Sequence, residues 1–134
     1  MQTKNLMLWA GQALLALFFA YAGWTKLSQT PEALAAMGWH WAADVPPGLI
    51  GFIGVVEVLG AIGIVLPVAL RTLPWLSTLA AVGMVLLQLA AIVLHLSRGE
   101  TSALWLNAVV LLVSATVAFL LQRRAPLALP ERQT

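Results

Sequence analysis

Four runs of predominantly apolar residues occupy most of this chain, and no other feature constrains its fold as strongly. They extend roughly from Leu6 to Trp24, with Lys26 closing the run, from Leu49 to Leu70, from Trp75 to Leu96, and from Ala103 to Leu121, where Gln122, Arg123 and Arg124 stop the last. An α-helix needs about 20 such residues to cross the hydrocarbon core of a bilayer. Composition argues against a soluble core: 61% of the 134 residues are hydrophobic and 9% are charged, against about 45–50% and about 25% in soluble domains. A globule of this size cannot hide that excess, because small domains keep a large surface fraction. Backbone groups in lipid must bond internally, which a helix achieves within one segment. The expected fold is all-α: an integral membrane four-helix bundle forming a single domain over residues 1–134. The first run starts close to Met1 and lacks a small-residue cleavage site after a short apolar core, so it reads as a retained span rather than a removed signal peptide.

Lys and Arg in the short loops set the orientation. The N-terminus, second loop and C-terminus carry Lys4, Arg71, Arg123, Arg124 and Arg132, whereas the first and third loops carry only Lys26 and Arg98, beside Glu32, Asp44 and Glu100. Five against two places both termini in the cytoplasm and the spans in the cell (inner) membrane. The first outer loop, roughly Leu27 to Pro47, begins with Thr30-Pro31-Glu32: a capping threonine, a proline in the first turn and an acid near the positive end of the helix dipole. The short helix PEALAAM ends at Gly38, and Trp39-His40-Trp41 follows. Indoles favour the membrane–water boundary, so this segment reads as a short interfacial helix anchored by two tryptophans.

Several chemistries are excluded. The chain has no cysteine, which removes disulfides, thiolate metal sites, iron–sulfur ligation and a thiol nucleophile. Two histidines, His40 and His95, are too few for a protein-only metal site without carboxylate help, and no metal is expected. The net charge of +2 reflects the loops; no basic patch interleaved with aromatics suggests nucleic acid.

What remains is a set of polar groups at membrane depth. Glu57 lies inside GLIGFIGVVEVLGAIGIVLP, flanked by Gly51, Gly54, Gly60 and Gly63. A carboxylate there must face the bundle interior, paired or protonated. Small residues let neighbouring backbones approach, and the three-residue interval drifts around the helix, so space is freed on more than one side. Lys26 and His95 close the outer ends of the first and third spans, Gln88 shares a face with His95 seven residues on, and Asn107 lies about one turn into the fourth span. With Tyr21, these residues gather polar chemistry in the outer half of the bundle, and the inner half offers only Gln12. Each has a plainer reading. Glu57 locks packing through hydrogen bonds. Lys26 snorkels to the headgroups, the leading reading for it. His95, His40 and Tyr21 are interface residues, and Gln88 and Asn107 are interhelical glue. The segments WTKLSQTPEAL and LHLSRGETSAL both place a basic or imidazole group at a helix exit followed by an acid, a weak internal echo.

The segments ALFFAYAGWTKL, GFIGVVEVLGAIGIVLP, LPWLSTLAAVGMVLLQLAAIVLHLSRGE and LNAVVLLVSATVAF together resemble the DoxX-like family of small four-helix membrane proteins, from about Leu14 to about Phe119. The family pattern has Phe, Gly and Lys at the end of the first span, matched by Phe18 or Phe19, Gly23 and Lys26. It also has a Glu in the second span, a His near the end of the third in one subgroup, and an Asn in the fourth. Glu57, His95 and Asn107 match these. Members are similar to a subunit of an archaeal thiosulfate:quinone oxidoreductase, and relatives are tied to oxidative-stress complexes or membrane-protein assembly. The resemblance supports the polar cluster as a shared site without assigning a reaction.

Three functions compete. As an accessory subunit of a membrane redox system, the protein would bind a quinone-like or other small apolar ligand near Glu57, with Lys26 and His95 hydrogen-bonding its head or moving a proton. Electrons would come from a membrane or redox protein partner. As a non-catalytic scaffold or assembly factor, it would recruit a partner through its spans or the Trp39–Trp41 loop. As a proton-coupled permease, it would need self-association into a homo-oligomer for a wide enough path; no broken helix is evident. Whether it is an enzyme does not follow from these residues.

Overall fold

The computed structural model describes residues 2–124, without the side chains of Gln2 and Lys4. Arg132, one of the five charges that orient the chain, lies outside the described residues, as does the Lys4 side chain. The helices are α1 (Gln2–Ser28), α2 (Pro31–Ala36), α3 (Pro47–Ala69), α4 (Trp75–Ser97) and α5 (Leu104–Gln122), with short 3₁₀ turns at His40–Asp44 and Thr101–Ala103. Four of them are long and apolar enough to cross a membrane, within a few residues of the expected runs. No strand occurs among the described residues.

The long helices run alternately up and down. α1 packs against α3, α3 against α4, α4 against α5, and α5 returns to α1. Lys26, the start of α3, His95 and the start of α5 thus share one end, called here the lysine end. The other half is filled by Leu8, Leu15, Phe19, Ala61, Ile64, Ala81, Met84, Val110, Val117 and Leu121. Pro67 lies inside α3 and cannot supply the N–H that the Gly63 carbonyl would accept. Next to this loosened turn, Gln12 Nε2 donates to the Ile64 carbonyl at 2.6 Å. A neighbouring helix thereby supports the backbone a proline disturbs, as lipid-embedded helices require.

The closest helix approach is between α1 and α3. A Cβ built on Gly23 would stand 2.7 Å from the Gly54 carbonyl oxygen, and one on Gly54 would stand 3.0 Å from that of Gly23. Gly60 and Gly63 face α4 instead, near Met84 and Ala80. The α3 glycines therefore serve two neighbours, as their drifting interval implies.

The loop after α1 departs from expectation in one respect. Thr30 caps α2, its Oγ1 accepting from the Ala33 N–H at 3.2 Å. The two indoles, however, are not a matched pair of interface anchors. Trp41 is buried with Leu34, Ala42 and Ile50 in a small second core, against which Trp39, Val45, Ile53 and Leu94 pack. The 3₁₀ turn after Trp39 rotates Trp41 inward, and apolar burial outweighs its preference for the boundary. The loop is a lid with its own core.

The Gly23–Gly54 contact makes a direct prediction. Gly23→Ala should lower stability by about 1–3 kcal/mol, because the new methyl meets backbone that cannot yield. Gly51→Ala, where a Cβ meets nothing within 4 Å, should be neutral or slightly stabilising. Melting of the two variants in detergent, followed by circular dichroism, would separate them; equal losses would refute the close-approach account.

Candidate functional site

Lys26 and Glu57 each lie three residues beyond the glycine crossing along their own helix. The helices are antiparallel, so this spreads the two Cα atoms about 9 Å apart along the axis. Helical side chains lean toward their own N-terminus, and in antiparallel neighbours that tilts these two toward each other. Lys26 Nζ donates to Glu57 Oε1 at 3.0 Å and Oε2 at 2.8 Å, and the side chains are only 8% and 10% exposed. Lys26 therefore does not snorkel: an acid within reach in the interior outweighs distant headgroups. Its third side meets the Trp39 ring, 4.5 Å from the centroid, a favourable place for a cation.

Trp39 arrives there through a helix end. Gly38 adopts φ 101°, the Gly38 N–H bonds to the Ala35 carbonyl and the Trp39 N–H to that of Leu34, each at 3.0 Å. This is the Schellman arrangement, which brings the second residue past the helix back against the last turn. The end of α4 repeats it. Gly99 has φ 67°, its N–H bonds to Leu96 O at 3.1 Å, and the Glu100 N–H bonds to His95 O at 2.9 Å. Here the returning residue is charged, and His95 Nδ1 meets Glu100 Oε2 at 2.8 Å. A carboxylate only accepts, so Nδ1 carries the proton; when the ring is neutral, Nε2 is then an acceptor. Arg98 completes the cluster, with Nε on Glu100 Oε1 and Nη2 on Asp44 Oδ2, both at 2.7 Å. Asp44 belongs to the lid, so this ion pair ties the lid to the end of α4. The Arg98 and His95 contacts hold the Glu100 carboxyl below the usual carboxylate range, Arg98 contributing most.

These groups surround one cavity of about 470 Å³ at the lysine end. All six residues singled out from the sequence, Tyr21, Lys26, Glu57, Gln88, His95 and Asn107, line it, together with Trp39 and Trp41 of the lid. Among its lining residues Tyr21 on α1, Leu106 on α5 and Met37 on the lid are exposed, so the cavity opens to the surface beside them. Two of its lining residues carry a buried polar atom without a hydrogen-bond partner: Gln88 at Oε1 and Asn107 at Nδ2. A second cavity of about 400 Å³ runs between α3 and α4, lined by Gly60, Gly63, Gly83 and Met84 among others; it shares Glu57 and Leu87 with the first.

One expectation needs correction. The opposite half of the bundle holds more polar groups than Gln12: Ser77, Thr78 and Ser114 are fully buried there. Short hydroxyls are inconspicuous in an apolar run, and only packing shows that they face inward. The two segments of the internal echo differ in pairing: His95 meets Glu100, whereas Lys26 pairs with Glu57 and Glu32 sits exposed in the first turn of α2. His40 is exposed and lines neither cavity. The sequence reading missed Glu100 and Trp39 as neighbours of the site. The signal was present: a glycine just after a helix, followed by the residue its Schellman turn carries back. Among the described residues no three His, Asp or Glu side chains gather to hold a metal ion.

A family model described as the DoxX-like family matches residues 10–117. No curated protein and no solved structure matches the chain.

Removing one partner of the buried pair should be costly. Lys26→Met or Glu57→Gln should each lose about 3–5 kcal/mol, and the double change to apolar residues should recover part of that; a double-mutant melting cycle in detergent tests the coupling. The Glu100 cluster predicts a pH effect. A carboxyl held low in the folded state stabilises above the ordinary carboxylate pKa of about 4.3 and loses that contribution as pH falls through the lowered value. Below pH of about 4 the wild type should lose melting temperature more steeply than Glu100→Gln, the difference shrinking in high salt. Parallel slopes would show that the cluster adds nothing.

Proposed function

The chain belongs to the DoxX-like family of membrane proteins, and on that premise we propose that it is an accessory subunit of a membrane redox system. It binds a quinone-like apolar ligand by its polar head in the cavity beside Glu57. Both termini face the cytoplasm, the lysine end faces outward, and the membrane is the cell (inner) membrane. The observation that carries this reading is the gathering of Lys26, Glu57, Gln88, His95 and Asn107 around one cavity in a predominantly apolar bundle. Intramembrane ionisable groups are costly and mark functional sites by default.

The shape of the site suits an amphiphile arriving from lipid. The cavity, about 470 Å³ in volume, has room for a ring. The groove between α3 and α4 continues from Glu57 and Leu87 along Gly60, Gly63 and Gly83, and is apolar enough for a tail. The residues supply complementary chemistry to the head. His95, held by Glu100 at Nδ1, has Nε2 free of a protein partner for a hydrogen bond to the head. Lys26 and Glu57 provide a fixed dipole at the cavity floor. The chain has no cysteine for a thiol relay, so electrons are exchanged with a partner protein.

An alkyl-tailed benzoquinone should raise the melting temperature of the purified protein in nanodiscs in a concentration-dependent way. Gly83→Leu should weaken its binding by about tenfold, equivalent to about 1.4 kcal/mol, without affecting tailless benzoquinone. A Cβ at Gly83 meets open space, so that variant keeps its fold. Val55→Leu, on an exposed face of α3, should leave both unchanged. No stabilisation by any quinone at saturating concentration would refute the reading. Stable co-purification with a partner, unchanged by Glu57→Gln, would favour a scaffold.

A further inference from the structure

Resting on that reading of the cavity, we infer that the site selects heads that donate a hydrogen bond: the hydroxyl-bearing, reduced form of a quinone-like ring rather than the oxidised form. Gln88 and Asn107 determine this specificity.

The groups on the α4 and α5 wall still lack partners. Gln88 is 5% exposed and Asn107 9%, and Gln88 Oε1 and Asn107 Nδ2 are buried without a hydrogen bond. The first is an acceptor and the second a donor. In its neutral form His95 adds a second acceptor at Nε2, because Glu100 occupies Nδ1. On the opposite wall Lys26 already gives two of its three N–H groups to Glu57 and meets the Trp39 ring. The open demand in the cavity is therefore for a ligand that both donates and accepts. A quinone carbonyl only accepts; it can satisfy Asn107 Nδ2 but leaves Gln88 Oε1 buried and unpaired. A phenolic hydroxyl offers both a donor and an acceptor. Exchanging oxygen and nitrogen within either amide keeps one donor and one acceptor on each side chain, so the demand persists. Sites built to hydrogen-bond a hydroxyl reject analogues lacking it, because their own buried groups are then left unmade.

A pair of inert probes isolates the donor from redox chemistry: a long-chain alkylphenol and its methyl ether, which match in tail and ring. Their affinities are measured by ligand-dependent melting of the full chain in nanodiscs. The phenol should bind tighter by on the order of tenfold, and the same preference should hold for an alkyl hydroquinone over its quinone under reducing and oxidising conditions respectively. Gln88→Met, similar in length without the amide, should remove most of the difference, and Asn107→Leu should weaken phenol and ether alike. If phenol and ether bind equally while both are weakened by Gly83→Leu, the cavity reading stands and the hydroxyl preference is wrong. If neither probe nor any quinone binds, the cavity reading falls and this inference with it. The wild-type comparison needs no variant, so a poorly folding substitution cannot obscure the outcome.

Discussion

An ammonium and a carboxylate held in contact at membrane depth impose the strictest condition on this structure. Neither charge can be left alone among acyl chains, and their mutual attraction offsets desolvation only if the geometry is close and other bonds are satisfied. Both conditions are met where Gly23 and Gly54 let α1 and α3 touch backbone to backbone. The contact sets the helix separation, and the N-terminal lean of both side chains closes the remaining gap. Lys26 is thereby drawn inward from a helix end where it would otherwise reach water.

That inward turn shapes the rest of the lysine end. With its ammonium committed to Glu57 and seated against Trp39, the lid packs over the helices rather than floating above them. Two Schellman turns do the positioning, one carrying Trp39 to the lysine and the other carrying Glu100 to His95. Arg98 then joins the second turn to the lid through Asp44. Backbone conformation at two glycines thus delivers side chains to a site that neither helix could supply from within its own length.

The bundle divides along its axis. Toward the termini it is a packed apolar core with a few buried hydroxyls and Gln12 supporting the turn near Pro67. Toward the lysine end a cavity lined by polar side chains takes the place of the core. The same four helices serve both purposes because the polar residues occupy only one part of each inward face. The apolar groove below Glu57 joins the two regions.

The four spans, the capped helix after α1 and the inward direction of Glu57 follow from the residues without any knowledge of packing. Long apolar runs have few solutions in lipid, and caps are written in adjacent residues. The membership of the polar set was equally legible, because polar side chains stand out against so apolar a background. The partners were not. Glu57 answers Lys26 across 31 positions, and Trp41 turns into a core while Trp39 covers a lysine; the burial of Ser77, Thr78 and Ser114 is likewise a fact of packing. Which group an ionisable side chain meets depends on how helices cross and where loops return. That geometry arises from distant residues acting together, so it exists only once the chain has folded.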